Sequence, residues 1–239
     1  MAKHLSLSWA VGVEDHESAL ALQTIHRILN TLYLRHPPLL DDPPIRVRAY
    51  GNWVIPALVP DKPYWGTQWY IDSSYNDKLA RVIAPAFLEL VRQEPWQRIA
   101  PHLDIAILDQ DLTDFPAPLA RLRPDRFTLG TSLPGSSAVL SVRRVRTLTD
   151  PGVRDLALSR LVAHHLGHVL GVPQYTRESH ASRLGLEYHC TNVCTMRHAS
   201  SVKQLAKYAI EESEMGWGFC PECTVELHSA MIRLWRNWN

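Results

Sequence analysis

The sequence lacks any uninterrupted apolar stretch near the roughly 20 residues that a membrane-spanning helix requires. It also lacks a strong charge, because 25 basic and 24 acidic residues leave a formal net charge of +1 at pH 7. Such a chain is not expected to bind nucleic acid or an anionic membrane surface. The first ten residues contain no long apolar segment and make a poor signal peptide. We therefore expect a cytoplasmic protein.

Internal repeats, low-complexity tracts and a clear linker are also absent from the 239 residues. With 46% hydrophobic and 21% charged residues, a chain of this length can bury a core without disulfides. Helical and strand-like patterns follow one another along the chain. We therefore predict a single α/β domain over residues 1–239. Its predicted helices are residues 14–34, about 76–92, 150–170 and about 224–238, its strands are 45–50, 103–108 and 137–145, and a proline-rich loop covers 56–65.

Two histidines lie four residues apart in the predicted helix that begins after Asp150. Asp150 suits the N-cap, Pro151 suits the first helical position, and Gly171 suits the C-terminal end. His164 and His168 would lie on one helix face, so their imidazoles could bind one metal ion. This spacing is the basis of the H-E-x-x-H zinc motif. The alternative is a pair of hydrogen-bonded histidines at a helix surface.

Cysteine is absent outside a short C-terminal segment. The four cysteines form two close pairs, Cys190 with Cys194 and Cys220 with Cys223, separated by a predicted helix. In the cytoplasm thiols stay reduced, and two such pairs are a common way to build a closed tetrahedral zinc site. We expect a structural zinc here. The alternatives are four unliganded thiols or two disulfides.

The order of these motifs resembles the archaemetzincin family of zinc metallopeptidases. The family pattern is H-E-x-x-H-x-x-G-x-x-H-C, followed by a second cysteine, a methionine two residues later and a distant C-x-x-C. Residues 108–112 are similar to the family's strand that ends in an aspartate-rich turn. Residues 139–144 are similar to its edge strand beside the substrate cleft. The matching positions of the pattern are His164, His168, Gly171, His189, Cys190, Cys194, Met196, Cys220 and Cys223.

The resemblance implies a metzincin-like fold with a mixed sheet, an active-site helix at residues 150–171 and a C-terminal helical segment stapled by zinc. Within residues 189–223, Met196 would form the turn beneath the metal. The resemblance also implies two zinc ions. One would be held by His164, His168 and His189, and a structural one by Cys190, Cys194, Cys220 and Cys223.

The spacing departs from the family pattern after Gly171. Gln174 occupies the position of the third histidine, and about 15 extra residues precede His189. We interpret residues 173–188 as an insertion and His189 as the third ligand, because Cys190 follows it directly. His180, inside the insertion, is the alternative. The first two cysteines also have three residues between them, where the family has four.

The glutamate of H-E-x-x-H is missing, and His165 stands in its place. In the family this glutamate is the general base. His165 could be a weak base, a bystander or a fourth ligand that closes the site, while Glu178 or Glu187 could supply a carboxylate from the insertion. The resemblance therefore implies zinc-dependent peptide hydrolysis by metal-activated water, weak or absent in this chain. The alternative is a non-catalytic zinc-binding relative that binds a peptide or protein.

Overall fold

The computed structural model describes residues 3–36, 38–52, 54–55, 65–115 and 127–236. The strands, in chain order, are β1 (Lys3–Trp9), β2 (Ile45–Gly51), β3 (Val54–Ile55), β4 (Trp65–Gly66), β5 (Tyr75–Asn76), β6 (Arg81–Ile83), β7 (Leu103–Leu108), β8 (Leu112–Thr113), β9 (Gly130–Leu133), β10 (Ser137–Ser141), β11 (Ala181–Leu184) and β12 (Glu187–Cys190). The helices are α1 (Asp15–Leu34), α2 (Pro38–Asp41), α3 (Thr67–Ser74), α4 (Ala84–Gln93), α5 (Pro95–Ile99), α6 (Pro151–Val169), α7 (Val202–Ser213) and α8 (Pro221–Arg236).

Five strands form the central sheet in the order β2-β1-β7-β10-β9. The first four are mutually parallel, and β9 runs antiparallel to β10 at one edge. Every residue of β7 and β10 is buried, as expected for strands covered on both faces. The mixed sheet with its flanking helices confirms the predicted α/β class.

Helices α4 and α6 both pack against β10, and α6 also contacts α1, α7 and β9. α6 is therefore a central element of the fold, and its second half is almost entirely buried. This packing places the predicted active-site helix directly beside the edge strand β9. Among the described residues, no helix is both long and apolar enough to cross a membrane.

The predicted helix at residues 76–92 begins later than its apolar pattern indicates. Residues 81–83 form β6, which pairs with β5 and β8, and the helix starts only at Ala84. Pro85 lies in the first turn, where its missing N–H costs no hydrogen bond. The C-terminal helix, in contrast, starts earlier than predicted, at Pro221. Of the predicted loop at 56–65, residues 56–64 lie outside the described residues, while Trp65 pairs in β4.

The similarity of residues 139–144 to an edge strand is wrong for this chain. The strand β10 ends at Ser141 and lies between β7 and β9 in the sheet. Val142 leaves the strand, and a 3-10 turn follows at Val145–Thr147. β9 pairs antiparallel with β10 and is the last strand in the sheet order, so β9 is the edge strand at this side of the sheet.

Candidate metal centre

The helix α6 positions His164 and His168 as its sequence predicts. The Asp150 side chain caps the N-terminus by accepting a hydrogen bond from the Val153 N–H at 3.0 Å. At the other end Gly171 has a φ of +78°, a conformation that favours glycine, and its N–H donates to the His168 carbonyl at 2.8 Å. Both ends of the helix are therefore fixed by local hydrogen bonds.

The third histidine lies on a hairpin that follows α6. Strands β11 and β12 pair antiparallel, with Ser182 opposite His189, and Gly185 has a positive φ of 63° in the turn. The Cys190 N–H then donates to the Met196 carbonyl at 3.0 Å. These contacts hold β12 against the segment that contains the predicted methionine turn.

The structure brings His164, His168 and His189 together as a buried histidine group. The Nε2 atoms of His164 and His168 are 3.1 Å apart, and the potential ligand atoms of all three lie within 4.8 Å of one another. The ring centroid of His189 is 5.4 Å from that of His164 and 5.0 Å from that of His168. His180 is exposed and lies 3.0 Å from a Glu222 oxygen, outside this group.

Hydrogen bonds to the backbone orient two of these rings. His164 Nδ1 donates to the Thr195 carbonyl at 2.8 Å, and His168 bonds to the backbone of Val172. In His189 neither ring nitrogen has a hydrogen-bond partner although both are buried. An unpartnered buried imidazole beside two oriented ones fits a bound metal ion, which would satisfy one of its ring nitrogens.

The electrostatic environment keeps the histidine group neutral. Burial, and then the neighbouring histidines, lowers the pKa of His164 and His168 well below the usual value. Burial lowers the pKa of His189 to about 3, with a smaller contribution from His198. The neutral imidazole is the form that binds metals. The donor set therefore suits a zinc ion.

The predicted methionine turn packs against α6. The contact is made with Gly167, which is not part of the sequence motif. Met196 is fully buried, and a β-carbon at Gly167 would overlap with its sulfur atom. The Thr195 hydroxyl donates to Glu212 at 3.2 Å, and Glu212 pairs with Arg160 at 2.9 Å in a buried ion pair. This packing holds the Thr195 carbonyl in place to accept from the histidine group.

His165 points toward the edge strand. Its Nδ1 shares a 2.7 Å hydrogen bond with the Ser132 hydroxyl on β9, and its ring occupies the space that a side chain at Gly130 would need. Burial, and then the proximity of His189, lowers the pKa of His165 to about 3. His165 is not among the residues whose ligand atoms group with the histidine group.

The predicted insertion, residues 173–188, brings one of its two glutamates close to the histidine group. A Glu187 oxygen accepts a hydrogen bond from the Ser132 N–H at 2.7 Å. Its carboxylate lies 4.0 Å from His168 Nε2 and 3.7 Å from His189 Nε2. Burial raises the pKa of Glu187 to about 7. Glu178, the other candidate, is exposed.

A small cavity adjoins the histidine group beside His164. This cavity of about 20 Å³ is lined by residues of β9, α6 and α7, including His164, His165 and Glu187. That volume holds about one water molecule.

The four cysteines are free and buried, and they form a compact cysteine group (Cys190, Cys194, Cys220 and Cys223). Their sulfur atoms lie within 4.8 Å of one another, and those of Cys190 and Cys220 are 3.7 Å apart. The backbone N–H groups of Cys220 and Met196 point at the Cys194 sulfur, at 3.3 and 3.5 Å. Four sulfurs surrounded by N–H donors suit a structural zinc, and no disulfide is formed among them.

No family model and no curated protein matches this sequence. The crystal structure of archaemetzincin from Methanopyrus kandleri matches the structure with a TM-score of 0.58, over 97% of this chain and 96% of that chain, at 20% sequence identity. The chain has the archaemetzincin fold. The predicted resemblance is therefore confirmed at the level of the fold.

Within this archaemetzincin fold, the histidine and cysteine groups are both sets of residues that could hold a metal ion. The sequence pattern named all seven residues, but it missed Gly130, Ser132 and Gly167, whose positions depend on contacts between distant segments. A third group, Glu94, His102 and Asp104, was also not predicted. In it His102 Nε2 lies 2.9 Å from Glu94 and 3.3 Å from Asp104, an arrangement typical of a buried ion-pair cluster.

Proposed function

We propose that this chain is a zinc-binding protein of the archaemetzincin fold whose peptidase activity is weak or absent. The histidine group would hold a zinc of the catalytic type, and the cysteine group a structural one. The grouping of both donor sets, with the unpartnered ring of His189, supports this assignment. The four free cysteines also support residence in the cytoplasm, where thiols stay reduced.

The orientation of His165 is the observation that carries the proposal. When bound, zinc would activate a water molecule for attack on a peptide carbonyl. A positioned general base contributes roughly 10²–10⁴-fold to such a reaction. Because the His165 ring is packed against Gly130 and bonded to Ser132, it is not free to take a proton in front of the histidine group.

The alternative function, a non-catalytic relative that binds a peptide or protein, is supported by the small size of the cavity beside His164. A space of about 20 Å³ beside the histidine group does not admit a peptide bond with its flanking side chains. A peptide or protein partner would then bind elsewhere on the surface, and zinc would serve to hold α6, β12 and the methionine turn together.

Hydrolysis of a mixture of fluorogenic peptides by the zinc-loaded protein tests the proposal. The matched control is His164→Ala, which removes one imidazole of the histidine group while keeping helix α6. We expect the wild-type rate to equal that of His164→Ala or to exceed it only slightly. A high rate in the wild type that is lost both in His164→Ala and after chelation of zinc would contradict the proposal.

A further inference from the structure

We propose that Glu187 is a fourth protein ligand of the histidine metal site, so that the insertion closes the site with a carboxylate. This inference rests on the proposed binding of zinc by His164, His168 and His189. It assigns a role to the hairpin β11–β12, and it supplies a cause for weak activity that is independent of His165.

The strand β12 delivers Glu187 and His189 to the same place. Residues two apart on a strand point to the same face, so both side chains reach the histidine group. The carboxylate lies 3.7 Å from His189 Nε2 and 4.0 Å from His168 Nε2. Ligand atoms at about 2.0–2.1 Å from a tetrahedral zinc are roughly 3.3 Å apart. The two contacts come from different oxygens, and Glu187 lies outside the 4.8 Å grouping of the three histidines, so the carboxylate must move toward the ion for one oxygen to complete the shell.

The backbone of the edge strand holds the carboxylate in this orientation. The Ser132 N–H donates to Glu187 Oε1 at 2.7 Å, and the other oxygen, Oε2, is the one nearest to His189. Oε1 is thus anchored on β9 and lies 4.0 Å from His168 Nε2, while Oε2 lies on the side of His189. This division leaves a lone pair of Oε2 available to an ion.

The charge balance around Glu187 also indicates a cation. The side chain is only 13% exposed, and besides the Ser132 N–H its polar neighbours within 4.0 Å are two imidazoles whose burial favours the neutral form. A buried carboxylate without a cationic partner is costly. A metal ion bound by the histidine group would supply a cation that stabilises the Glu187 carboxylate.

A fourth protein ligand changes what the site can do. Catalytic zinc sites keep three protein ligands and one open position, whereas structural sites are closed by four. With Glu187 bound, the histidine site would resemble a structural site in its coordination. The small size of the cavity beside the site would then follow from the closure of the site by Glu187.

Zinc retention measures this role without relying on activity. The protein holding both zinc ions is equilibrated against a series of chelator-buffered free zinc concentrations, and the bound zinc is determined by elemental analysis. The variants are Glu187→Gln, which keeps the size and the acceptor for Ser132, and the matched control Glu178→Gln in the same insertion. We expect Glu187→Gln to release the weaker zinc at a free zinc concentration roughly 10–100-fold higher than the control does, since the loss of a supporting metal-site group has effects of this size.

Cobalt(II) exchanged into the histidine site gives a second readout. The intensity of its visible absorption falls when a four-coordinate site gains solvent ligands, and we expect this fall in Glu187→Gln but not in Glu178→Gln. Equal zinc release and equal spectra in the two variants would overturn the inference, while the proposed function would stand if His168→Ala still loses one zinc. A wild-type protein that holds only one zinc, unaffected by His168→Ala, would overturn both.

Discussion

The ring of His165 lies against the backbone of Gly130, at a position where any β-carbon would overlap with it. The same ring bonds to Ser132, two residues further along β9. The histidine that replaces the family's glutamate is therefore fitted into the edge strand by a matching glycine. In the structure the ring of His165 packs against β9 and bonds to it.

The contact between His165 and Gly130 predicts a strong coupling between the two positions. Gly130→Ala should lower the free energy of unfolding by roughly 1–3 kcal/mol, because overpacking forces side chains and backbone apart. In a His165→Ala background the same change should cost much less, since the ring is gone. Denaturant unfolding of the two single variants and the double variant checks this, and simple additivity of the two effects would contradict it.

Restoring the missing carboxylate should restore some activity. His165→Glu rebuilds the H-E-x-x-H motif, and a positioned base contributes roughly 10²–10⁴-fold. We expect zinc-dependent hydrolysis of a fluorogenic peptide to rise above the wild-type rate, and to rise further when Glu187→Gln opens the site. His165→Gln, which has the size of glutamate without its basicity, is the control. Strong wild-type activity that His165→Glu leaves unchanged or reduces would argue against this account.

The cysteine group should contribute more to stability than the histidine group does. A closed site of four thiolates contributes its binding free energy directly to folding. Cys223→Ser should therefore lower the melting temperature more than His164→Ala, as followed by circular dichroism. Equal melting temperatures of Cys223→Ser and the wild type would show that this site is not structural.

The choice between two histidines of the hairpin region can be tested by zinc content. His189 lies in the histidine group, whereas His180 is exposed beside Glu222. His189→Ala should lose one zinc per chain, and His180→Ala should keep the wild-type content. Loss of zinc from His180→Ala alone would mean that the insertion rearranges to bind the metal through His180.

Local chemical signals made part of the site predictable. His164 and His168 are four residues apart on one helix, and the neighbouring Cys190 directed attention to His189. The contact of Glu187 with Ser132 joins residues 55 positions apart in the chain, so no local pattern could reveal it. In the fold, the stretch before Pro85 has a helical apolar pattern but pairs as a strand, because the tertiary partners β5 and β8 outweigh local propensity.

The zinc content of the purified protein tests the central claim most directly. Elemental analysis of wild-type protein and of His168→Ala, both prepared without added metal, should give two zinc ions per chain and one zinc ion per chain, respectively. His168→Ala removes an imidazole of the histidine group and leaves the cysteine group intact. A value of one in both proteins would contradict the claim that this archaemetzincin fold holds zinc at His164, His168 and His189.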